Sequence, residues 1–237
     1  MAGLLYARMS AILRAPRWPL PRRVSQLAAL VALVAFGAVT ASVHLPVAAQ
    51  ALATAPAAAA TSAPSAAALA AALRSGGYIV YFRHTATDFS QNDEKMRDFD
   101  DCANQRNLTD AGREQAQKIG AVWRTLNIPV GRVLASPYCR TREVAQLAFG
   151  RYERAMDVRG GPGSTGDPVR YQPLSRLLAT PPKPGTNDVI SSHGNPFRAL
   201  HPGLPYLSEG EAAVIRPLPP DGHEVLGRIA WDRWPAP

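Results

Sequence analysis

The chain alternates between short, wholly apolar runs and longer stretches in which apolar residues return every three or four positions. The run Tyr78–Phe82 ("YIVYF") follows Gly76-Gly77 and stops abruptly at Arg83-His84. A continuous apolar run of this length between punctuating residues is the pattern of a strand buried on both faces. "GRVLAS" at 131–136 is a second such strand, and "NDVISSHG" is a third that ends at His193. "EAAVIRPL" and "HEVLGRIAW" form two more, separated by the turn sequence Pro-Pro-Asp-Gly.

The intervening segments have the helical period. Ser65 is placed to cap an alanine-rich helix, "SAAALAAALRS", which Gly76-Gly77 ends. Thr109 caps a helix over 110–126, in which Ala116, Ile119, Val122, Trp123 and Leu126 share one face and Pro129 blocks continuation. "TREVAQLAFG" is a helix closed by Gly150, and 171–180 is helical until "PPKPGT" interrupts it. Residues 86–107 are polar, acidic and without period, so they read as a long loop with a single helical turn. The Gly/Pro-rich stretch 160–168 is also loop.

Strands that alternate with helices predict an α/β domain with a mostly parallel central sheet between helical layers, the last two strands making a small antiparallel edge. In such sheets ligands bind beyond the carboxyl ends of the strands. Three strands here end in Arg83-His84, in Ser136-Pro137-x-x-Arg140 and in His193-Gly194. The expectation is that these ends lie side by side.

The N-terminal part does not resemble domain material. Residues 1–53 hold five arginines (Arg8, Arg14, Arg17, Arg22, Arg23) and no acidic residue, then the apolar run Leu27–Val43, then the small residues "VAAQALATA". This basic, apolar, small-residue order is that of a secretory signal peptide cut near Ala49 or Ala53, or of a retained signal anchor. From Thr54 to Pro64 only Ala, Pro, Thr and Ser occur, a linker composition, so the folded domain is expected over 65–237. Removing the five arginines takes the net charge from +8 to +3. That is too mild for a nucleic-acid partner, which calls for a dense basic stripe. The expected location is periplasmic or extracellular, with membrane contact only through an uncleaved anchor.

Two histidines and two arginines converging on one point suit phosphoryl transfer. An imidazole nitrogen attacks phosphorus to give a covalent intermediate, and guanidinium forks hold the phosphoryl oxygens. Positioning and charge then supply most of the catalysis, while a separate acid protonates the leaving alkoxide.

The blocks "FRHT" at 82–85, "QRNLTDAGREQA" at 105–116, "LASPYCR" at 134–140 and "SSHG" at 191–194 resemble, in order and spacing, the histidine phosphatase superfamily with its phosphoglycerate-mutase-like fold. The resemblance implies His84 as the nucleophile and Arg83, Arg140 and His193 as phosphoryl-binding groups, with Arg106 beside the pocket. It also implies chemistry that needs no metal or other cofactor. Thr85 stands where the family usually has Gly or Ala, and its hydroxyl and that of Ser136 are expected at the substrate. The family's usual proton donors are not evident. Gly194, not an aspartate, follows His193, and no glutamate block follows Arg140. Glu211 is the first choice of acid and Glu209 the second.

The acidic stretch "TDFSQNDEKMRDFDDC" has neither calcium-loop spacing nor a His/Cys cluster, and reads as a solvated lid over the pocket. Cys102 and Cys139 are the only cysteines. In an exported protein they are expected to form a disulfide pinning that lid to the catalytic strand end, the alternative being two buried thiols. The resulting expectation is an exported phosphomonoesterase acting on a small phosphorylated substrate. A domain that binds phosphate esters without turnover, or a phosphomutase, would use the same pocket. An acidic group facing the pocket separates catalysis from mere binding.

Overall fold

The computed structural model describes residues 63–161 and 168–236. The expected signal segment, nearly all of the linker and most of the Gly/Pro loop lie outside the described residues. Ser65 caps α1 (Ala66–Arg74), accepting from the Ala68 N–H, and Thr109 caps α2 (Asp110–Thr125), accepting from the Gly112 N–H. Helix α3 (Cys139–Phe149) begins two residues before the expected span, so that Arg140 lies in its first turn. It ends at Gly150, whose φ is +73°. Helix α4 covers Gln172–Ala179. A further helix not expected from the sequence, α5 (Gly194–Leu200), follows directly on His193. Its Pro196 falls in the first turn, where a missing N–H is harmless.

The strands are β1 (Ile79–Arg83), β2 (Val130–Ala135), β3 (Glu153–Arg154), β4 (Asn187–Ser192), β5 (Ala212–Leu218) and β6 (Gly222–Ile229). They form one six-stranded sheet in the order β3-β2-β4-β1-β5-β6. The first four in that order run parallel, β5 is antiparallel to β1, and β6 is antiparallel to β5. This is the mixed α/β sheet with an antiparallel edge that the pattern predicts. Strand β3 is the exception: two exposed charged residues carry no apolar signal at all.

Each central strand is buried on both faces, and its residues alternate between two cores. Val80, Phe82, Val133, Ala135, Val189 and Val214 face α1, α2 and α3, where Trp123 and Trp234 complete the layer. Ile79, Tyr81, Leu134, Ile190, Ala213 and Ile215 face the opposite way, onto Leu174 and Leu178 of α4 and Phe197 of α5. The sheet is therefore the middle of three layers. Phe82 packs 5.9 Å from the Trp123 ring, centroid to centroid. Truncating such a buried ring costs about 3–5 kcal/mol. Phe82 thus anchors the strand whose next two residues are Arg83 and His84.

With β2, β4 and β1 adjacent, the three functional strand ends do lie side by side. Main-chain bonds extend the register past β1. The His84 N–H donates to the Ser192 carbonyl at 3.0 Å, and the Gly210 N–H donates to the His84 carbonyl at 2.9 Å. Gly210 sits at φ +77°, a conformation that side chains disfavour, and it turns the chain so that Glu209 comes up beside His84.

Candidate active site

At the carboxyl edge of the parallel strands is a cavity of about 720 Å³. Arg83, His84, Arg106, Arg140 and His193 all line it, as do Tyr138 and Asp93. The four blocks recognised in the sequence therefore meet at one place.

His84 is 1% exposed, and its Nδ1 lies 3.0 Å from the Thr85 main-chain carbonyl. A carbonyl can only accept, so Nδ1 carries the hydrogen and Nε2 keeps its lone pair. Burial, and then the positive charges of Arg140, Arg83 and Arg106, hold this imidazole well below its ordinary range. It is thus a neutral base with one free nitrogen, the form that can attack phosphorus.

The His193 ring stands edge-on to that of His84 with centroids 5.6 Å apart. Burial again pushes its titration well down, helped by Arg140, His84 and the other two arginines. Its Nε2 lies 2.8 Å from the Ser136 hydroxyl, and its main-chain carbonyl accepts from the buried Tyr81 hydroxyl at 2.7 Å. Gly160 lies against the ring: a Cβ there would come within 2.7 Å of His193 Cδ2. Ser136 is thus fully buried and holds His193, instead of reaching the substrate as the sequence reading had it. Thr85 is likewise fully buried, away from the cavity lining. Its carbonyl sets the His84 tautomer, and its hydroxyl is buried without a hydrogen-bond partner among the described residues.

Two of the guanidinium groups are held by main-chain carbonyls. Arg83 donates through Nη1 to the Leu207 carbonyl at 2.8 Å. Arg140 lies 4.6 Å over the Tyr138 ring and donates to the Arg106 carbonyl at 3.1 Å. The Nε–H groups of Arg83, Arg106 and Arg140 are buried without a hydrogen-bond partner among the described residues. Buried donors are normally satisfied, so three such groups around one cavity match the oxygens of an anion.

The acid assignment needs correction. Glu211 does not face the cavity: its carboxylate is paired with Arg228, at 2.9 Å to Nε and 2.6 Å to Nη2, and also accepts from the Ser208 N–H. Glu209 comes closer, with Oε1 3.7 Å from His84 Nδ1 and 3.6 Å from Arg83 Nη2. The Thr87 hydroxyl donates to it at 2.6 Å. It therefore lies on the Nδ1 side of the imidazole, opposite Nε2, and outside the cavity lining. Its place suits it to balance charge on the ring, not to bind substrate.

Sequence reasoning missed Asp93, which lines the cavity together with its neighbours Glu94 and Met96. The Asp93 carboxylate takes both arms of Arg140, Oδ1 at 2.9 Å from Nη1 and Oδ2 at 3.0 Å from Nη2, and Oδ1 also accepts from the Arg106 N–H at 2.9 Å. No period in the polar loop marks this residue out. The only signal was its position in a segment already expected to cover the pocket. That segment is tied down by the Cys102–Cys139 disulfide, whose Cα atoms are 5.7 Å apart. Two of its other acids are ion-paired: Asp101 with Arg97, and Asp100 with Arg142 and Arg154.

Residues 79–160 match the family described as histidine phosphatase superfamily (branch 1). The matched span runs from β1 through Gly160 and holds His84, Arg106 and Arg140. Among solved structures, the chain is similar to a putative phosphohistidine phosphatase SixA from Agrobacterium tumefaciens, with 18% identity and TM-score 0.44 over 65% of this chain and 98% of that one. A mycobacterial glucosyl-3-phosphoglycerate phosphatase has 17% identity and TM-score 0.44 over 59% of this chain and 89% of its own. A phosphoserine phosphatase from Entamoeba histolytica, in complex with phosphoserine, has 13% identity and TM-score 0.41 over 58% and 89% respectively. No curated protein matches the chain.

Proposed function

We propose that this chain, similar to the histidine phosphatase superfamily over residues 79–160, is a phosphomonoesterase that works through a phosphohistidine on His84. The observation that carries this reading is the state of His84. It is buried and neutral, with Nδ1 bonded to the Thr85 carbonyl, on a cavity ringed by three arginines and a second imidazole.

In the first step the Nε2 lone pair forms a bond to phosphorus as the P–O ester bond breaks, and the leaving oxygen takes up a proton. Arg83, Arg106 and Arg140 hold the equatorial oxygens, and His193 shares them. The imidazole becomes cationic when it carries the phosphoryl group, and the Glu209 carboxylate near Nδ1 offsets that charge. In the second step water attacks phosphorus, the P–N bond breaks, and neutral His84 returns with inorganic phosphate released. Each half is easier than direct hydrolysis.

The protein is also proposed to act outside the cytoplasm. The signal-like order of residues 1–53 and the disulfide both support this, since such bonds persist in oxidising compartments.

Hydrolysis of a chromogenic aryl phosphate by the purified chain, beside His84→Ala, tests the central claim. Wild-type turnover that vanishes in His84→Ala, with circular dichroism unchanged, is the expected result. Equal rates in the two proteins would remove His84 from the chemistry.

A further inference from the structure

The carboxylate of Asp93 occupies the fork of Arg140, one of the three arginines that line the cavity. Its two oxygens meet the two arms of Arg140 at 2.9 and 3.0 Å, the bidentate geometry by which a guanidinium also grips phosphate. The Arg106 main-chain N–H completes the set at 2.9 Å. Arg140 is itself buried, with a side chain 5% exposed, so this pair takes up a buried guanidinium at the cavity. A substrate phosphoryl group cannot take the fork of Arg140 while Asp93 holds it.

We propose that Asp93 is the proton donor of the reaction, kept on Arg140 until the substrate's phosphoryl group displaces it. The inference rests on the phosphomonoesterase reading above. Once displaced, the carboxylate cannot travel far. Gln91 accepts from the Asn107 N–H at 3.0 Å just before it, and the disulfide at Cys102 ties down the far end of the same segment. It stays at the cavity, now beside a phosphoryl group instead of a guanidinium, and when the ester binds as its monoanion the ester's proton passes to the Asp93 carboxylate.

The proton balance then closes. As His84 Nε2 bonds to phosphorus and the ester P–O bond breaks, the Asp93 carboxyl gives its proton to the leaving oxygen, and the alcohol departs. The Asp93 carboxylate next takes a proton from the attacking water as oxygen bonds to phosphorus and the P–N bond breaks. Inorganic phosphate leaves as its monoanion, carrying that proton away, and the Asp93 carboxylate returns to Arg140.

The other acids fit the role less well. Glu211 is taken up by Arg228, and Glu209 sits on the wrong side of the imidazole, held by Thr87. Glu94 is exposed at the rim.

The test uses the full chain as wild type, Asp93→Asn and Glu94→Gln, with an alkyl phosphate, an aryl phosphate and titration by inorganic phosphate. An alkoxide needs its proton far more than a phenolate does. For Asp93→Asn the expected result is a fall of about 100-fold or more in kcat on the alkyl ester, the usual range for losing a general acid. The fall on the aryl ester is expected to be much smaller, and phosphate to bind several-fold tighter because its internal competitor is gone. Equal losses on both esters, weaker phosphate binding, or a leaving-group-dependent loss in Glu94→Gln instead would overturn the proposal. If the wild type turns over neither ester, the phosphomonoesterase reading fails and the acid role with it. Tighter phosphate binding by Asp93→Asn would then show only that the carboxylate occupies an anion site.

Discussion

The Nδ1–H of His84 points at the carbonyl of Thr85, the very next residue, from 3.0 Å. A strand end that turns back on its own side chain thus selects the tautomer, and the reactive Nε2 is left without a proton. Burial and the three arginines keep it so into acid. The acid limb of kcat/KM assigned to His84 is therefore expected below pH 6.5, the ordinary value for histidine. A pH profile on an aryl phosphate checks this, and an acid limb above 6.5 would contradict it.

The same shift makes a stability prediction. Above pH 6.5 neither folded nor unfolded histidine binds the proton. Below it the unfolded chain does, while buried His84 and His193 do not. Stability should thus fall as pH drops from 6.5 towards the depressed folded values, by about 1.4 kcal/mol per pH unit for each histidine. Urea unfolding at pH 7.5 and 5.5, repeated in His193→Gln, measures the share of one residue.

Gly160 leaves room for the His193 ring. In Gly160→Ala the new Cβ would meet Cδ2 at 2.7 Å, so the imidazole must shift by several tenths of an ångström or more. A misplacement of about 1 Å costs about 100-fold in rate, so this shift is expected to cost about 10-fold or more. The expected outcome is a large loss of kcat with little change in the unfolding midpoint. Full activity would mean that His193 has no fixed position in the reaction.

Two glutamates on either side of Gly210 should behave in opposite ways. Glu211→Gln breaks the pair with Arg228 that ties the start of β5 to β6, and is expected to lower stability by about 1–2 kcal/mol with turnover within twofold. Glu209→Gln removes the negative charge beside His84 and is expected to slow turnover by about tenfold, the equivalent of about 1.4 kcal/mol. Kinetics and thermal unfolding on both variants suffice, and a large rate loss in Glu211→Gln would return that residue to the site.

The disulfide closes a loop of 37 residues' separation that contains Arg106 and ends one residue before Arg140, while Asp93 lies in the lid segment that leads into it. Reduction is expected to cost about 3–4 kcal/mol in chain entropy. It should also weaken turnover before global unfolding, because the lid is then held by hydrogen bonds and ion pairs alone. Activity measured across a dithiothreitol titration, against tryptophan fluorescence, separates the two events.

The buried strands were legible because a doubly buried strand can only be written as an apolar run, and the polar residues that stop those runs are the ones at the cavity. Arg83, His84 and His193 could be read for that reason. Strand β3 could not, since Glu153 and Arg154 pair by backbone alone. Helix α5 was hidden by Gly194 and Pro196, which usually punctuate but here open a helix. Glu211 and Glu209 are two positions apart, and only the turn at Gly210 decides which faces His84. The Asp93–Arg140 pair joins an aperiodic loop to a helix start across 47 positions, and nothing local in the sequence encodes it.

The central claim is a covalent bond between His84 and phosphorus. The most direct measurement is to mix the protein with an aryl phosphate, quench within milliseconds into alkali, and digest it for mass spectrometry. One phosphoryl group on His84 in the wild type, accumulating and decaying within the turnover time and absent from His84→Ala, is the predicted result. Turnover with no modified histidine at any quench time, or a phosphoryl group on His193 in its place, would contradict the mechanism.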